Sequence, residues 1–106
     1  VIRTLYAHGV GMDRSYLQEN YQIFEAGCFY RVLDDFSDFR GIRYKKGDEL
    51  TFIGSNFVPY EDGLSLFFSF KGNERQIMLC VREGFQINIV HNLSSYFERV
   101  HSNPSL

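Results

Sequence analysis

The sequence predicts a small, mainly β domain of the β-rich α+β class. Eleven Phe and seven Tyr give 17% aromatic content without Trp, and such side chains are favoured on the half-buried surface of a sheet. Apolar and polar residues alternate in several short stretches, and turns rich in Gly, Asp and Asn separate them. A chain of 106 residues has room for one such domain.

Five strands are predicted from aromatic and β-branched content and from a period of two in the apolar positions. The clearest alternation is in the third strand, and we expect the fourth to pair with it after a turn at Lys71–Glu74. The predicted strands span Cys28–Leu33, Leu50–Ile53 (ended by Gly54), Leu64–Phe70, Gln76–Arg82 and Phe85–Ile89.

A short helix is predicted at each end of the domain. In the segment 14–24 the apolar residues recur at spacings close to those of one helix face. At Asn92–His101 the pattern Ser95-x-x-Glu98 has the form of a capping box, which marks the start of a helix.

Three polar segments are predicted as turns or loops. Lys46-Gly47-Asp48 is expected to form a tight turn, because glycine adopts the positive φ angle that such turns need. Asp34–Arg43 is predicted as a long loop with aromatic anchors, and Ser55–Gly63 as a second loop that ends in an Asp-Gly reversal. These boundaries divide the chain into an N-terminal extension or short helix at 1–26, a domain at 27–101 and a tail at 102–106. Residues 1–11 precede Met12 and are expected to be either a cloning remnant or a truncated extension.

The order of these segments resembles an SH3-like barrel of about five strands, from Phe29 to Val90. The resemblance implies a diverging turn at Tyr44–Leu50, with the loops Asp34–Arg43 and Ser55–Gly63 beside a ligand groove. Because the chain has no Trp, recognition of Pro-rich ligands is not expected. The stretch Lys45–Gly54 is also similar to a short motif of nucleic-acid-binding barrels in ribosomal and transcription factors.

A closer resemblance is to an uncharacterised group of small bacterial domains, and it covers most of 27–100. That group has no assigned activity, so the resemblance implies a fold and no chemistry. Its pattern is present as Tyr30-x-Val32, Phe36-x-Asp38, Gly41, Gly47-Asp48, Phe52-Ile53-Gly54, Phe57-x-Pro59-Tyr60-x-Asp62-Gly63 and Leu66-Phe67.

Composition and motifs argue against several classes of function. A net charge of −2 excludes a broad polycationic surface. No apolar run is long enough to span a bilayer and no secretory signal is recognisable, so we expect a cytoplasmic protein that does not bind membranes. Cys28 and Cys80 match no metal or redox spacing and are predicted as free buried thiols. Neither they nor His91 lie in a nucleophile motif, so no enzyme activity, metal or cofactor is expected.

The leading functional hypothesis is a protein-binding module. Aromatic side chains with a polar rim are typical of protein interfaces, and the candidate anchors are Phe39, Tyr44, Phe57 and Tyr60. Acidic loop residues can mimic the negative charge of a nucleic acid towards a basic toxin, which suggests an immunity-type inhibitor. The acidic residues in this loop are Asp34, Asp35 and Asp38. In a structural alternative, Phe57 and Tyr60 plug the ends of the barrel, and Phe36 or Phe39 folds inward. The sequence does not determine the oligomeric state.

The second hypothesis is a small nucleic-acid-binding barrel. Four cations lie within one short segment beside Phe39 and Tyr44, which makes phosphate contacts and base stacking available. The four are Arg40, Arg43, Lys45 and Lys46. Acidic residues in the same region oppose this interpretation, because they cancel most of the local field.

Overall fold

A computed structural model describes residues 17–58, 62–82, 84 and 86–101. Within them the chain forms short and long strands and two short helices. The strands are β1 (Asn20–Tyr21), β2 (Phe24–Glu25), β3 (Phe29–Val32), β4 (Phe36–Ser37), β5 (Arg43–Tyr44), β6 (Glu49–Val58), β7 (Gly63–Phe70), β8 (Asn73–Cys80) and β9 (Phe97–Val100). The helices are α1 (Ile87–His91) and α2 (Leu93–Tyr96). The prediction of a mainly β domain is confirmed.

The main sheet has five antiparallel strands in the order β8-β7-β6-β3-β9. Four of the predicted strands correspond to β3, β6, β7 and β8, and the predicted pairing of the third strand with the fourth is confirmed. A two-residue turn joins β7 to β8, and both Lys71 and Gly72 have positive φ angles, as a type I′ turn requires. Among the described residues no ladder joins β8 to β9, so the closure of a barrel stays a prediction.

The core lies on one face of this sheet and consists largely of aromatic rings. Phe24 is at its centre, stacked on Phe52 at 5.0 Å between ring centroids and edge-on to Tyr30 (4.9 Å), Phe68 (5.3 Å) and Phe97 (5.0 Å). Offset and edge-to-face ring pairs contribute beyond the area that they bury. The aromatic richness of the sequence is therefore used mainly to fill the core.

The predicted N-terminal helix is wrong over the residues that the structure describes. Strands β1 and β2 form a hairpin instead, in which Gln22 has a φ angle of 50°. The Tyr30 hydroxyl holds this hairpin, because it donates to the Ile23 carbonyl (2.9 Å) and accepts from the Glu25 N–H (2.8 Å). Since the hairpin places Phe24 in the core, residues 17–26 are part of the packed domain rather than an extension. Residues 1–11 lie outside the described part of the chain.

Strand β6 continues through Gly54, where the sequence predicts its end. A β-bulge between Phe52 and Gly54 lets the strand bend and proceed, so the predicted loop at Ser55–Gly63 is in fact strand as far as Val58. A Cβ atom at Gly54 would lie 2.8 Å from the Cβ of Leu17. Glycine at this position therefore allows the N-terminal segment to approach β6 closely rather than ending the strand.

The C-terminal region also differs from the sequence prediction. Residues 87–89 of the predicted fifth strand belong instead to α1, and the predicted terminal helix is limited to α2 and followed by β9. Gln86 begins this arrangement, because its N–H donates to the Cys80 carbonyl (3.0 Å) and its side-chain oxygen accepts from the Cys80 N–H (2.9 Å). Each helix then contributes one buried residue to the core, Val90 from α1 and Leu93 from α2.

Candidate protein-binding surface

The segment Asp34–Arg43, predicted as a loop, contains strand β4 and begins β5, and these two strands form a short hairpin. The tip of this hairpin is organised by one buried carboxylate. The Asp38 side chain is 0% exposed, and its Oδ1 atom accepts hydrogen bonds from the N–H groups of Arg40 (2.9 Å) and Ile42 (3.0 Å). Its Oδ2 atom accepts from the Met78 N–H on β8 (3.2 Å) and pairs with the Arg40 guanidinium (3.3 Å). Buried charges are tolerated when they are paired and hydrogen-bonded in this way. Asp38 therefore has a structural role in this loop, and its buried carboxylate offers no surface to a partner.

The same loop covers the outer edge of β8. Phe39 donates its N–H to the Met78 carbonyl (2.6 Å), and the Arg40 guanidinium donates to the Gln76 carbonyl. Farther along, both backbone groups of Cys80 are bonded by Gln86. An edge strand whose outward groups are occupied in this way is protected against pairing with another chain.

Fixing the backbone of this loop leaves two of its apolar side chains exposed. Phe39 is 50% exposed and Ile42 is 39% exposed. Large apolar residues are the ones that folding normally buries, and this loop displays two of them from a conformation fixed by Asp38. Ile42 was missed by the sequence prediction; the available signal was an apolar residue in an otherwise polar loop.

Phe57 is a third exposed apolar residue at the same end of the sheet, with 46% exposure. It is paired with Leu64 on β7, and Leu64 is paired with Leu79 on β8. The backbone of Phe39 is bonded to Met78, next to Leu79. Three strand spacings therefore separate Phe57 from Phe39, or about 14 Å. A standard interface is large enough to include both residues.

Of the other predicted anchors, Tyr44 is buried and Tyr60 lies outside the described residues. The Tyr44 ring stacks on Phe36 with a centroid separation of 5.3 Å, and Phe36 contacts the core ring of Phe97 at 5.5 Å. Tyr44 is 5% exposed, so its ring fills the core and offers little surface to a partner. The structural alternative in which Phe36 or Phe39 folds inward applies to Phe36, which is 6% exposed, and not to Phe39, which is 50% exposed.

The remaining acidic residues do not form a free anionic surface. Asp35 accepts hydrogen bonds from the Lys46 N–H (2.7 Å) and from Arg43 (3.4 Å). The Lys46 bond and the nearby positive charge of Arg43 lower the pKa of Asp35 below its usual value. Of the three acidic residues predicted as contacts, Asp34 and Asp35 are exposed, and Asp35 already accepts hydrogen bonds from Lys46 and Arg43.

The predicted basic cluster is likewise divided by internal pairing. Arg40 is held by the buried Asp38 (3.3 Å), and Arg43 is paired with Asp35 (3.4 Å). Lys45 and Lys46 are exposed on the turn before β6, where Gly47 has a φ angle of 97°. The structure therefore does not present four free cations together.

Other kinds of site have little support in the described part of the chain. It contains no cluster of three or more His, Cys, Asp or Glu side chains able to hold a metal ion. Both cysteines are free, as predicted, with Cys80 buried and Cys28 half-buried; His91 is exposed on α1. A groove of about 340 Å³ lies between the N-terminal segment and β6, lined in part by Leu17, Glu19 and Ile53. Neither of the described helices has the length and apolar character needed to cross a membrane.

Fold and surface together define a small β-rich domain that displays apolar side chains from a rigid loop. The family model described as a domain of unknown function, DUF3601, matches residues 8–102, and the chain belongs to this family. The predicted membership of an uncharacterised group of small domains is thus confirmed. The chain is also similar to a solved integron cassette protein from the mobile metagenome of Vibrio cholerae, with 57% identity and a TM-score of 0.84 over 85% of this chain and 100% of that chain. No curated protein matches the chain.

Proposed function

We propose that this domain is a non-enzymatic protein-binding module whose contact surface is the Asp38–Ile42 loop together with Phe57. The observation that carries the proposal is the combination of a backbone fixed by the buried Asp38 with exposed side chains at Phe39 and Ile42. A rigid loop loses little conformational entropy on binding, so the apolar area that it buries is retained as affinity.

The free energy gained by burying these exposed side chains is sufficient for a specific contact. Half of a phenylalanine side chain is roughly 100 Å², and burying that area contributes about 2.5 kcal/mol. Phe39 and Phe57 are each about half exposed, and aromatic residues near the centre of an interface commonly supply most of its binding energy. Two such anchors with Ile42, close in sequence to the charged Arg40 and Arg43, match the usual arrangement of an apolar centre with a polar rim.

An immunity-type inhibitor is a narrower form of the same proposal, with a toxin as the partner. It retains the apolar loop as the contact surface. Acidic mimicry of a nucleic acid no longer supports it, because Asp38 is buried and Asp35 is paired with Arg43. Contact through Phe39 and Ile42 is the form of this role that the loop favours.

The test is affinity capture from a bacterial lysate with matched variants. The immobilised protein is compared with Phe39→Ser/Ile42→Ser, and the control is Ile23→Ser, which alters a 37% exposed residue on the β1–β2 hairpin. We expect one or more species to be captured by the unaltered protein and by the control but lost from the loop variant. Equal capture by all three proteins, or no capture by the unaltered protein, would overturn the proposal.

Binding to oligonucleotides provides a separate check against the second hypothesis. If Arg40 and Arg43 are engaged by Asp38 and Asp35, few cations remain to displace counterions from phosphates. We expect no measurable affinity for single-stranded RNA or DNA at low salt. Affinity that falls steeply as salt rises, and that is lost in Lys45→Ala/Lys46→Ala, would favour nucleic-acid binding instead.

A further inference from the structure

The outer edge of β9 carries backbone groups that point away from the sheet. Leu33 on the β3 side donates its N–H to the carbonyl of Tyr96 (2.7 Å). Because backbone groups of successive residues in a strand point to opposite sides, Glu98 also faces β3, whereas Phe97 and Arg99 face outward. The N–H of Phe97 is bonded to the Leu93 carbonyl, so within the described part of the chain the outward groups without a backbone partner are the carbonyl of Phe97 and both groups of Arg99.

The two edges of the sheet thus differ. At β8 the outward groups of Met78 and Cys80 are bonded by the Asp38–Ile42 loop and by Gln86. At β9 no described residue bonds the backbone N–H or carbonyl of Arg99. Edge groups of this kind are a template for an added strand, and within the described residues those of Arg99 on β9 are open.

The charges on β9 discriminate between possible added strands. A second copy of the chain would pair its β9 antiparallel with this β9, about a two-fold axis perpendicular to the sheet. This symmetry allows only registers in which a residue lies opposite itself, or opposite a residue an even number of positions away. The two such registers with the greatest overlap of Phe97–Val100 put Glu98 opposite Glu98, or Arg99 opposite Arg99. Like charges directly opposite each other destabilise a strand pair, so β9 resists pairing with itself.

A strand from a different protein avoids this restriction. In an antiparallel arrangement, a basic residue opposite Glu98 and an acidic residue opposite Arg99 complement both charges. The existing pairs of Glu98 with Arg31 (3.0 Å) and Arg99 with Glu25 (3.4 Å) involve side chains that are about half exposed. Such surface pairs are weak, so the added charges can join them without a large cost.

We propose that the β9 edge binds an extended peptide segment of another protein, in which an acidic residue is followed by a basic residue between apolar neighbours. The segment adds antiparallel to Phe97–Val100, and its backbone bonds the outward groups of Arg99. This surface is distinct from the Asp38–Ile42 loop, and its existence does not depend on that loop binding a partner.

The experiment uses the full chain labelled with ¹⁵N and two short capped peptides of identical composition, Thr-Val-Glu-Lys-Val-Thr and Thr-Val-Lys-Glu-Val-Thr. We expect the first to shift the amide signals of β9 and to slow hydrogen exchange at the Arg99 N–H. The second places like charges opposite both residues, so its affinity should be at least about threefold lower. Equal affinity for the two peptides, or shifts confined to other surfaces, would overturn the proposal.

Two variants extend the test. Glu98→Lys/Arg99→Glu should reverse the peptide preference, an effect that a merely structural role of these residues would not produce. Arg99→Pro removes the outward N–H while leaving the bonds to β3, as proline on an edge strand permits, and should abolish binding of both peptides. Slow exchange of the Arg99 N–H in the protein without peptide would show that the edge is already covered and would contradict the proposal. The proposal would also be contradicted if the Glu98→Lys/Arg99→Glu variant kept the original peptide preference.

Discussion

The Oδ2 atom of Asp38 accepts a hydrogen bond from the backbone N–H of Met78 at 3.2 Å, across 40 positions of sequence. This contact fastens a polar loop to the edge of β8 and at the same time turns Phe39 and Ile42 towards solvent. The stability of the sheet edge and the shape of the candidate binding surface therefore depend on the same carboxylate. Replacing Asp38 should therefore change both the stability of the sheet edge and the shape of the candidate binding surface.

Asp38→Ala should destabilise the domain by about 3 kcal/mol. It leaves the N–H groups of Ile42 and Met78 without their acceptor and removes the partner of Arg40, and loss of one member of a buried pair is costly. Urea unfolding measures the change. Asp34→Asn, at an exposed position in the same loop, is the control and should stay within about 0.5 kcal/mol of the unaltered protein. Equal effects of the two substitutions would contradict the structural role of Asp38.

Phe24→Ala should cost about 3–5 kcal/mol, because Phe24 is 1% exposed and contacts four other rings. The matched substitution Phe57→Ala, at a residue that is 46% exposed, should cost under about 1 kcal/mol. Thermal or urea unfolding of the two variants compares the same chemical change in the core and at the surface. A small effect at Phe24 would show that the N-terminal hairpin is not part of the cooperative core.

Gly54→Ala should weaken the contact between the N-terminal segment and β6. The added methyl group would lie 2.8 Å from the Leu17 Cβ and 3.1 Å from the Gln18 carbonyl oxygen, and overpacking of this kind costs about 1–3 kcal/mol. Hydrogen exchange of the amides in the Gln18–Ser55 bridge should become faster. Leu17→Gly removes the nearest atoms, so the double variant should lose less stability than the sum of the single changes. Strict additivity would argue against the close approach.

Tyr30→Phe should destabilise the β1–β2 hairpin by about 1–2 kcal/mol at neutral pH, since the Ile23 carbonyl and the Glu25 N–H lose their partner. Burial raises the pKa of the Tyr30 hydroxyl above its usual value of 10.0. The folded state therefore holds this proton more tightly than the unfolded chain does, and the associated stability is complete below pH 10 and declines as the pH rises through the folded pKa.

The pH dependence of Tyr30 is measured by comparing the unaltered protein with Tyr30→Phe in urea at several pH values from 8 upwards. All other side chains are identical in the two proteins, so their contributions cancel in the difference. We expect the advantage of the unaltered protein to shrink above about pH 10. An advantage that grows with pH would mean that the hydroxyl is not buried in the folded state.

The central strands could be predicted from sequence because their signal is local. Leu64, Leu66 and Phe68 alternate with Ser65, Phe67 and Ser69, and Gly72 takes one of the two positive φ angles of the turn that follows. A strand with one face towards a core carries this period wherever it is in the chain. For the same reason the Gly47 turn was also recognisable.

The C-terminal strand and the N-terminal hairpin could not be predicted in this way. Arg31 meets Glu98 across 67 positions, and β9 is a strand because β3 supplies its ladder. The residues 14–24 have apolar spacings compatible with a helix, but the Tyr30 hydroxyl and the ring cluster around Phe24 favour the hairpin. Tertiary contacts of this kind override weak local preferences.

By itself the sequence determined the class of fold, the central strands and the family to which the chain belongs. Tertiary structure alone decided which members of the loop Asp34–Arg43 are available to a partner. It buried Asp38 and Tyr44, paired Asp35 with Arg43, and left Phe39 and Ile42 exposed. The reason is physical: in a polar segment without periodicity, burial depends on which distant strand the segment meets, and here that strand is the edge of β8.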